Sequence, residues 1–515
     1  MRRVKPIDFL CRSNLEREGL IGCGSKMMDD IHFVDTTIRD GHASLWADRM
    51  TTGMMLPIAA RLDEAGFEAI ELIAGSHIKK SVCELREDPW ERIKLVSQRI
   101  KKTPLRLIAG RVNTFGFDPP ALYELFVKRM AANGIRQARI SEPWNDLTGW
   151  TFRVGVAQRA GLQSIVNLIY SVSPRHTDEY YAERTRQAAT LPVFRLCLKD
   201  PGGLLTPERI RTLVPVVLQN SNGIPVELHS HCNTGLGPLN ALEAVKLGIR
   251  IVNTGIPPLA DGSALPSIFN VAHNLRALGY RPAIDEEVLR PVSAHFRIIA
   301  EREKFPIGAP AEYDYEQYQH QVPGGMISNL AHQLRLVGKE SQLQEVLEET
   351  IRVRADFGYP IMVTPLSQFV GSQAAINVIV GERYKEVTDQ AINYALGQYG
   401  EEGADLMDPD VKDRILNRAR ARQLTGLMKA EPSLQELRAE LGGPGVSDEE
   451  MLLRWLLNKD DIAAMRAAGP CKEYSTARHP LVRLMAELTQ HNGCNLVQVS
   501  KPGFALSLEK NGAAQ

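Results

Sequence analysis

Eight short apolar runs follow one another between residues 31 and 280, each succeeded by a turn and a stretch with helical spacing. The runs are IHFVDTT (31–37), EAIELIAG (68–75), LRLIAGRVN (105–113), QARISEP (137–143), QSIVNLIYS (163–171), VFRLCLKD (193–200), VELHSHC (226–232) and IVNTGI (251–256). Stretches such as TTGMMLPIAARLDEAGF and ALYELFVKRMAANG lie between them, with apolar residues at helical spacing and Gly near the end. Strands alternating with helices pair in parallel, because each crossover carries the chain back to the same end of the sheet. Eight such units predict an α/β fold closed into a (β/α)8 TIM barrel, rather than an open doubly wound sheet. From about 281 the alternation stops, and segments such as AHFRIIAEREK and SQLQEVLEETIRVRADFG read as helices. The expected plan is an N-terminal extension (1–30), a barrel (31–280), a mainly helical domain (281–425) and a C-terminal extension (426–515). In that extension SDEE resembles a helix start, and the last forty residues read as irregular.

Composition narrows the function. With 44% hydrophobic and 24% charged residues the chain suits a globular fold, not disorder. Lys+Arg and Asp+Glu both number 61. Broad binding to nucleic acid or to anionic membranes draws on a basic excess, so neither is expected. No apolar run approaches the ~20 residues of a membrane span, and the N-terminus lacks the apolar core of a signal peptide. The seven cysteines (11, 23, 83, 197, 232, 471, 494) include no CxxC pair, so neither a disulfide framework nor a zinc module is expected. A cytoplasmic protein follows.

A barrel of this kind carries its chemistry where its strands end. Run seven holds His229-Ser230-His231; residues two apart on a strand share a face, so both imidazoles can offer nitrogen to one divalent cation. Run one ends in Asp35-Thr36-Thr37-Ile38-Arg39-Asp40, where Asp40 supplies a third, anionic ligand. Asp35, inside the strand, reads as a buttress. Arg39 is either a fixed cation for a developing enolate or carboxylate, or one half of a surface ion pair. Run six ends in Leu198-Lys199-Asp200, and a protonated lysine cannot ligate a cation. Carbamylation of Lys199 by CO2, a Schiff base on a low-pKa Lys199, and an ion pair to Asp200 or Asp40 all stay open on residue pattern alone. Arg111 and Asn113, ending run three, are placed to touch substrate. Cys232 alternates to the core face, and Gly22-Cys23-Gly24 and Gly235-Leu236-Gly237 read as turns.

These residues, in this order, resemble the carboxyltransferase component of biotin-dependent pyruvate carboxylase, oxaloacetate decarboxylase α subunit and transcarboxylase. That group lies within the metal-dependent acyl-lyase barrels. The resemblance is carried by DTTIRDGHASL (35–45), EDPWERI (87–93), LKDPGGLL (198–205), HSHCNTG (229–235), QVPGGMISNL (321–330), VTPLSQFVGSQAAINVI (363–379) and GERYKEV (381–387). It covers about 31 to 470 and makes the helical domain a conserved-carboxylase type. It implies a divalent metal (zinc, cobalt or manganese) held by Asp40, carbamylated Lys199, His229 and His231, with Arg39 steadying an enolate. A hydroxyl near Ser263 would shuttle a proton to or from biotin. CO2 would pass from carboxybiotin to an enolisable carbonyl acceptor. The nearest string to a biotinylation motif, Leu427-Met428-Lys429-Ala430, lacks its pattern, and no ATP-grasp-sized region is present. The resemblance therefore implies a separate biotin carboxyl carrier protein and a separate biotin carboxylase, and a homo-oligomer is expected.

The departures lie on the substrate side. The family's Arg-Asp-x-x-Gln is Arg39-Asp40-Gly41-His42-Ala43 here, so Ala43 stands for Gln. Cys83 falls where the family has a carboxylate-gripping arginine, and Cys cannot make that bidentate contact. Lys79 and Lys80, one helical turn earlier, are candidates to compensate. Pro201-Gly202 follows Lys199-Asp200 where the family has Met and a small residue. A carboxyltransferase subunit with an acceptor other than ordinary pyruvate is the expectation. The alternatives are a biotin-independent metal-dependent C–C lyase or decarboxylase, a Schiff-base aldolase, or a non-catalytic assembly subunit.

Overall fold

The computed structural model describes residues 30–114, 116, 118–322, 327, 330–331, 334–336, 338–426, 431–476, 496–501 and 504–509. The expected N-terminal extension up to residue 29, the Gly22-Cys23-Gly24 fragment and the Leu427–Ala430 string lie outside them.

Eight parallel strands close on themselves: β1 (Asp30–Asp35), β2 (Ala69–Ala74), β3 (Leu105–Ala109), β4 (Gln137–Ile140), β5 (Gln163–Ile169), β6 (Arg195–Asp200), β7 (Val226–Ser230) and β8 (Ile251–Thr254). Neighbours pair in sequence order, and β1 pairs with both β8 and β2, which makes the sheet the predicted barrel. A two-residue β9 (Arg281–Pro282) joins the start of β1. The apolar runs overshoot several strands. Run three, for example, stops pairing at Ala109, and Gly110 and Arg111 already belong to the loop above. After β1 the chain enters a π-helical turn (Thr37–Gly41) that sets Arg39 and Asp40 at the barrel mouth. Such turns recur at functional sites. Gly41 allows the close approach, since a Cβ there would lie 2.6 Å from the Leu259 carbonyl oxygen.

The EDPWER segment serves structure. Asp88 accepts from the Trp90 amide at 2.8 Å and caps helix Pro89–Arg99, with Pro89 in its first turn. Buried Arg92 bonds Glu87 at 2.8 Å and Thr52 at 2.9 Å, tying that helix to the chain after β1.

Among the described residues two large hydrophobic cores form, beside a small cluster of Val34, Ala69 and Ile251. Helix Glu286–Glu303 buries Leu289, Val292, Phe296 and Ile299 in the barrel's core. Packing therefore assigns this helix to the barrel, although the sequence pattern places it in the second domain; periodicity reveals an apolar face but not its partner. A second core gathers Val353, Phe357, Phe369, Tyr384 and Tyr394, and takes in Trp144 from the loop after β4. Helices Asp448–Leu456 and Lys459–Ala468 return to the barrel wall through Met451, Leu453, Ile462 and Met465. Near the C-terminus, Leu496–Lys501 and Phe504–Glu509 pair antiparallel where irregular chain was expected. Their alternating Val497, Val499, Leu506 and Leu508 were the overlooked signal. Among the described residues no helix is long and apolar enough to cross a membrane.

Candidate metal centre and adjoining cavity

His229 is the penultimate residue of β7, and His231 lies just past its end. Their Nε2 atoms are 3.2 Å apart. Asp40 Oδ2 lies 3.4 Å from His229 Nε2, and Asp40 Oδ1 3.6 Å from His231 Nε2. Donors about 2.1 Å from one ion sit roughly 3.0–3.4 Å from each other, so these three buried groups have the spacing of a coordination sphere. Their protonation also suits a cation. Burial, reinforced by Arg139, lowers His229 to about 3, leaving a neutral imidazole. Burial works against the Asp40 carboxylate, yet Arg39 and the two histidines hold it well below the usual range.

Each imidazole is oriented from behind. His231 donates from Nδ1 to the Ser263 carbonyl at 2.8 Å, which leaves Nε2 with its lone pair toward Asp40. His229 Nδ1 lies 2.9 Å from Arg139 Nη1 and 3.0 Å from Asn253 Oδ1.

Lys199 is the register partner of His229, and its side-chain amine makes no hydrogen bond or ion pair among the described residues. Burial, then the Arg139 and Arg39 guanidinium groups, bring its amine down to about 8. The ion pair to Asp200 does not form. Asp200 accepts from the Leu204 and Leu205 amides, each at 2.8 Å, and from Ser230 at 3.2 Å. Successive strand residues face opposite ways, so Asp200 fixes the following loop while Lys199 faces inward.

Arg39 is buried, which excludes the surface-pair reading. Its Nη2 is 2.6 Å from Asp40 and its Nε donates to Glu71 at 2.9 Å. Glu71 also lies 2.7 Å from Arg139, and Arg106 bonds Glu227 at 2.7 Å, giving the barrel a compensated ionic interior. Asp35 buttresses β1 by accepting from the Thr37 amide at 3.2 Å.

A cavity of about 260 Å3 opens onto Arg39, Asp40, Lys199 and His231. Arg111 lines it as expected, donates to the Gly116 carbonyl at 2.6 Å, and lies over the Tyr399 ring at 5.0 Å. Met362, Val363, Thr364 and Pro365 of the second domain line it too, so the VTPL motif covers the barrel mouth. Other expected residues lie outside this lining. Lys79 and half-buried Cys83 sit on helix His77–Cys83, which packs against helix Lys459–Ala468. Half-buried Ala43 is off the lining, and Ser263 directs its hydroxyl to the Ser44 carbonyl at 3.0 Å. Instead Ser76, His77, Thr114 and Ser141 supply polar lining. None stood out in sequence, because single polar residues in βα loops have no periodicity to betray them.

Known proteins resemble this chain along most of its length. Residues 318–485 match the conserved carboxylase domain model, and residues 152–295 match the HMGL-like model. A pyruvate carboxylase subunit of Methanocaldococcus jannaschii is 36% identical over 75% of this chain and 68% of that protein. The methylmalonyl-CoA carboxyltransferase 5S subunit of Propionibacterium freudenreichii is 30% identical over 74% of this chain and 76% of its own length. The 2-oxoglutarate carboxylase large subunit of Hydrogenobacter thermophilus is 30% identical over 82% of this chain and 66% of its own. The carboxyl transferase domain of Rhizobium etli pyruvate carboxylase shares the fold, with a TM-score of 0.76 at 22% identity over 86% of this chain and 77% of that one.

Proposed function

Because this chain belongs to the carboxyltransferase components of the biotin-dependent carboxylases, we propose that it moves CO2 from carboxybiotin to an enolisable carbonyl acceptor other than ordinary pyruvate. Biotin arrives on a separate carrier protein charged by a separate biotin carboxylase, and the complex works in the cytoplasm. The observation that carries the reading is the convergence of Asp40, His229 and His231 beside an unpaired Lys199 and a buried Arg39.

The donor set fits a divalent cation of the zinc, cobalt or manganese class, with Lys199 as a carbamate completing it. CO2 adds only to a neutral amine, and Lys199 is shifted toward that form. Once bound, the cation supplies Lewis-acid stabilisation of negative charge on the acceptor oxygen. Arg39, fixed by Glu71, presents its guanidinium to the same cavity, and a preorganised cation there lowers the cost of an enolate. Arg139, Asn253 and the Ser263 carbonyl hold the two imidazoles in aim. The roof formed by Met362–Pro365 and Arg111 limits water, which protects an enolate from protonation before it meets CO2. Ser263 supports an orienting role through its carbonyl; acting as a proton carrier requires its hydroxyl to leave Ser44.

The test is label transfer. Carrier protein carrying [14C]carboxybiotin is mixed with this chain and a panel of 2-oxo acids and acyl-CoA esters. Label passing to one acceptor only when the chain is present supports the proposal. Turnover of the same acceptors by the chain without biotin would establish the lyase alternative instead.

A further inference from the structure

A second cluster of metal-ligating side chains stands beside the first and has no part in the mechanism above. His42 follows the π-helical turn, Asp48 lies in the loop six residues on, and His77 begins the helix after β2. One donor atom from each lies within 4.8 Å of the other two. His77 Nε2 is 3.4 Å and His42 Nδ1 4.0 Å from Asp48 Oδ1. Donors shared by one ion lie roughly 3–3.5 Å apart, so the first separation already fits and a small imidazole rotation closes the second. We propose that His42, Asp48 and His77 form a second divalent-cation site, distinct from the Asp40 centre, with His77 presenting it to the same cavity.

The unmet bonding of these groups points to a ligand. His42 is 1% exposed and neither of its ring nitrogens has a hydrogen-bond partner; His77 Nδ1 and Asp48 Oδ1 also lack one. A buried polar atom without a partner costs about 1–3 kcal/mol, and one cation relieves both His42 Nδ1 and Asp48 Oδ1. Two imidazoles and one carboxylate form the donor set of a zinc- or cobalt-class ion. The backbone also holds the carboxylate in place. Ala47 and Asp48 both take positive φ (50° and 61°), and the turn folds Asp48 back so that its amide donates to the His42 carbonyl at 3.2 Å.

Nearby positive charge is already committed elsewhere. Arg92 is engaged by Glu87 and Thr52, Arg39 by Asp40 and Glu71, and Lys80 lies 3.7 Å from Glu84. Among the described residues these guanidinium groups are each paired with a carboxylate, so none is left to oppose a cation. A plain His77–Asp48 ion pair accounts for one contact, but it leaves both His42 nitrogens unmet.

The full-length protein, stripped with chelator and titrated with Co2+, provides the test through metal content and the visible absorption bands. Two ions per chain are expected in the wild type. His77→Thr and Asp48→Asn should each retain one, and Asp40→Ala should retain the other. A wild type that binds a single ion is assigned by the same variants. If His77→Thr and Asp48→Asn abolish that ion, the proposal stands; if they keep it and Asp40→Ala abolishes it, the proposal falls. Two ions in both His77→Thr and Asp48→Asn would also overturn it. Should either variant fail to fold, the other decides, and a wild-type titration that ends at one ion with one set of bands removed by Asp40→Ala refutes the site unaided.

Discussion

Lys199 on β6 and His229 on β7 stand opposite each other in the barrel register, yet only His229 is held in place by neighbours. The lysine amine projects toward the same barrel mouth with no partner of its own. An unpaired buried ammonium is costly; a carbamate on the same nitrogen is anionic and can ligate.

Lys199→Ala should therefore lose the metal of the Asp40 centre and activity together, because the substitution deletes a ligand as well as a charge. The expected fall in transfer rate is at least about 100-fold, in line with losing a group that stabilises developing charge. Metal analysis checks it: full occupancy of that centre in Lys199→Ala would refute the carbamate assignment.

Glu71 should be the most sensitive purely structural position of the interior. It accepts from Arg39 and lies beside Arg139, so Glu71→Gln leaves two buried cations short of a counter-charge. Breaking a buried pair from one side costs about 3–5 kcal/mol. Urea unfolding should show that loss, and Arg39, no longer anchored, should also lower the transfer rate. A variant as stable as the wild type would mean the ionic interior repacks.

Asp35 sets a pH dependence of stability. Burial raises its carboxyl from 3.8 to about 7, partly offset by the Thr37 hydrogen bonds. Below pH 4 the folded and unfolded forms are both protonated and the residue favours neither. Between about 4 and 7 the unfolded chain ionises while the folded one keeps its proton, so stability falls as pH rises. Above 7 both are ionised and the loss levels off. The slope is at most about 1.4 kcal/mol per pH unit. Asp35→Asn retains an acceptor for Thr37 and should flatten this window in urea titrations at pH 5, 6 and 7. An unchanged slope would assign the effect to another group.

Much of this was legible in the residues, and the exceptions share a physical cause. The barrel showed because eight apolar runs repeat at regular intervals, and the centre because His229 and His231 share a strand face next to an acidic run end. His77 is not legible beside His42 in sequence because the two come from different βα loops; a local turn folds Asp48 back to His42, and the pairing of β1 with β2 brings His77 to them. The same holds for Glu71 and Arg139, whose charges sit inside strands that otherwise read as apolar. Cys83 meets Asp461 of helix Lys459–Ala468 and Lys79 is exposed, so neither lines the cavity that the resemblance implies for them. Sequence order carries no information about which way a short helix is rotated.

Acceptor choice follows from the same wall of the barrel. Ala43 and Cys83, which stand for the family's Gln and arginine, lie off the cavity lining, while His77 enters it with Asp48 behind. A pyruvate carboxylate would keep Arg39 but lose two of its expected partners, and each charge-assisted bond of that kind contributes about 1.5–3 kcal/mol. Pyruvate should thus be a poor acceptor for the assembled enzyme, with a KM raised at least about tenfold over that of the preferred acceptor. His77→Thr, which alters the cavity lining, should weaken the preferred acceptor more than it weakens pyruvate. Steady-state kinetics with both acceptors measures each effect. Rapid, low-KM carboxylation of pyruvate by the wild type would show that Arg39 and the cavity roof suffice, and would make pyruvate the acceptor of this chain.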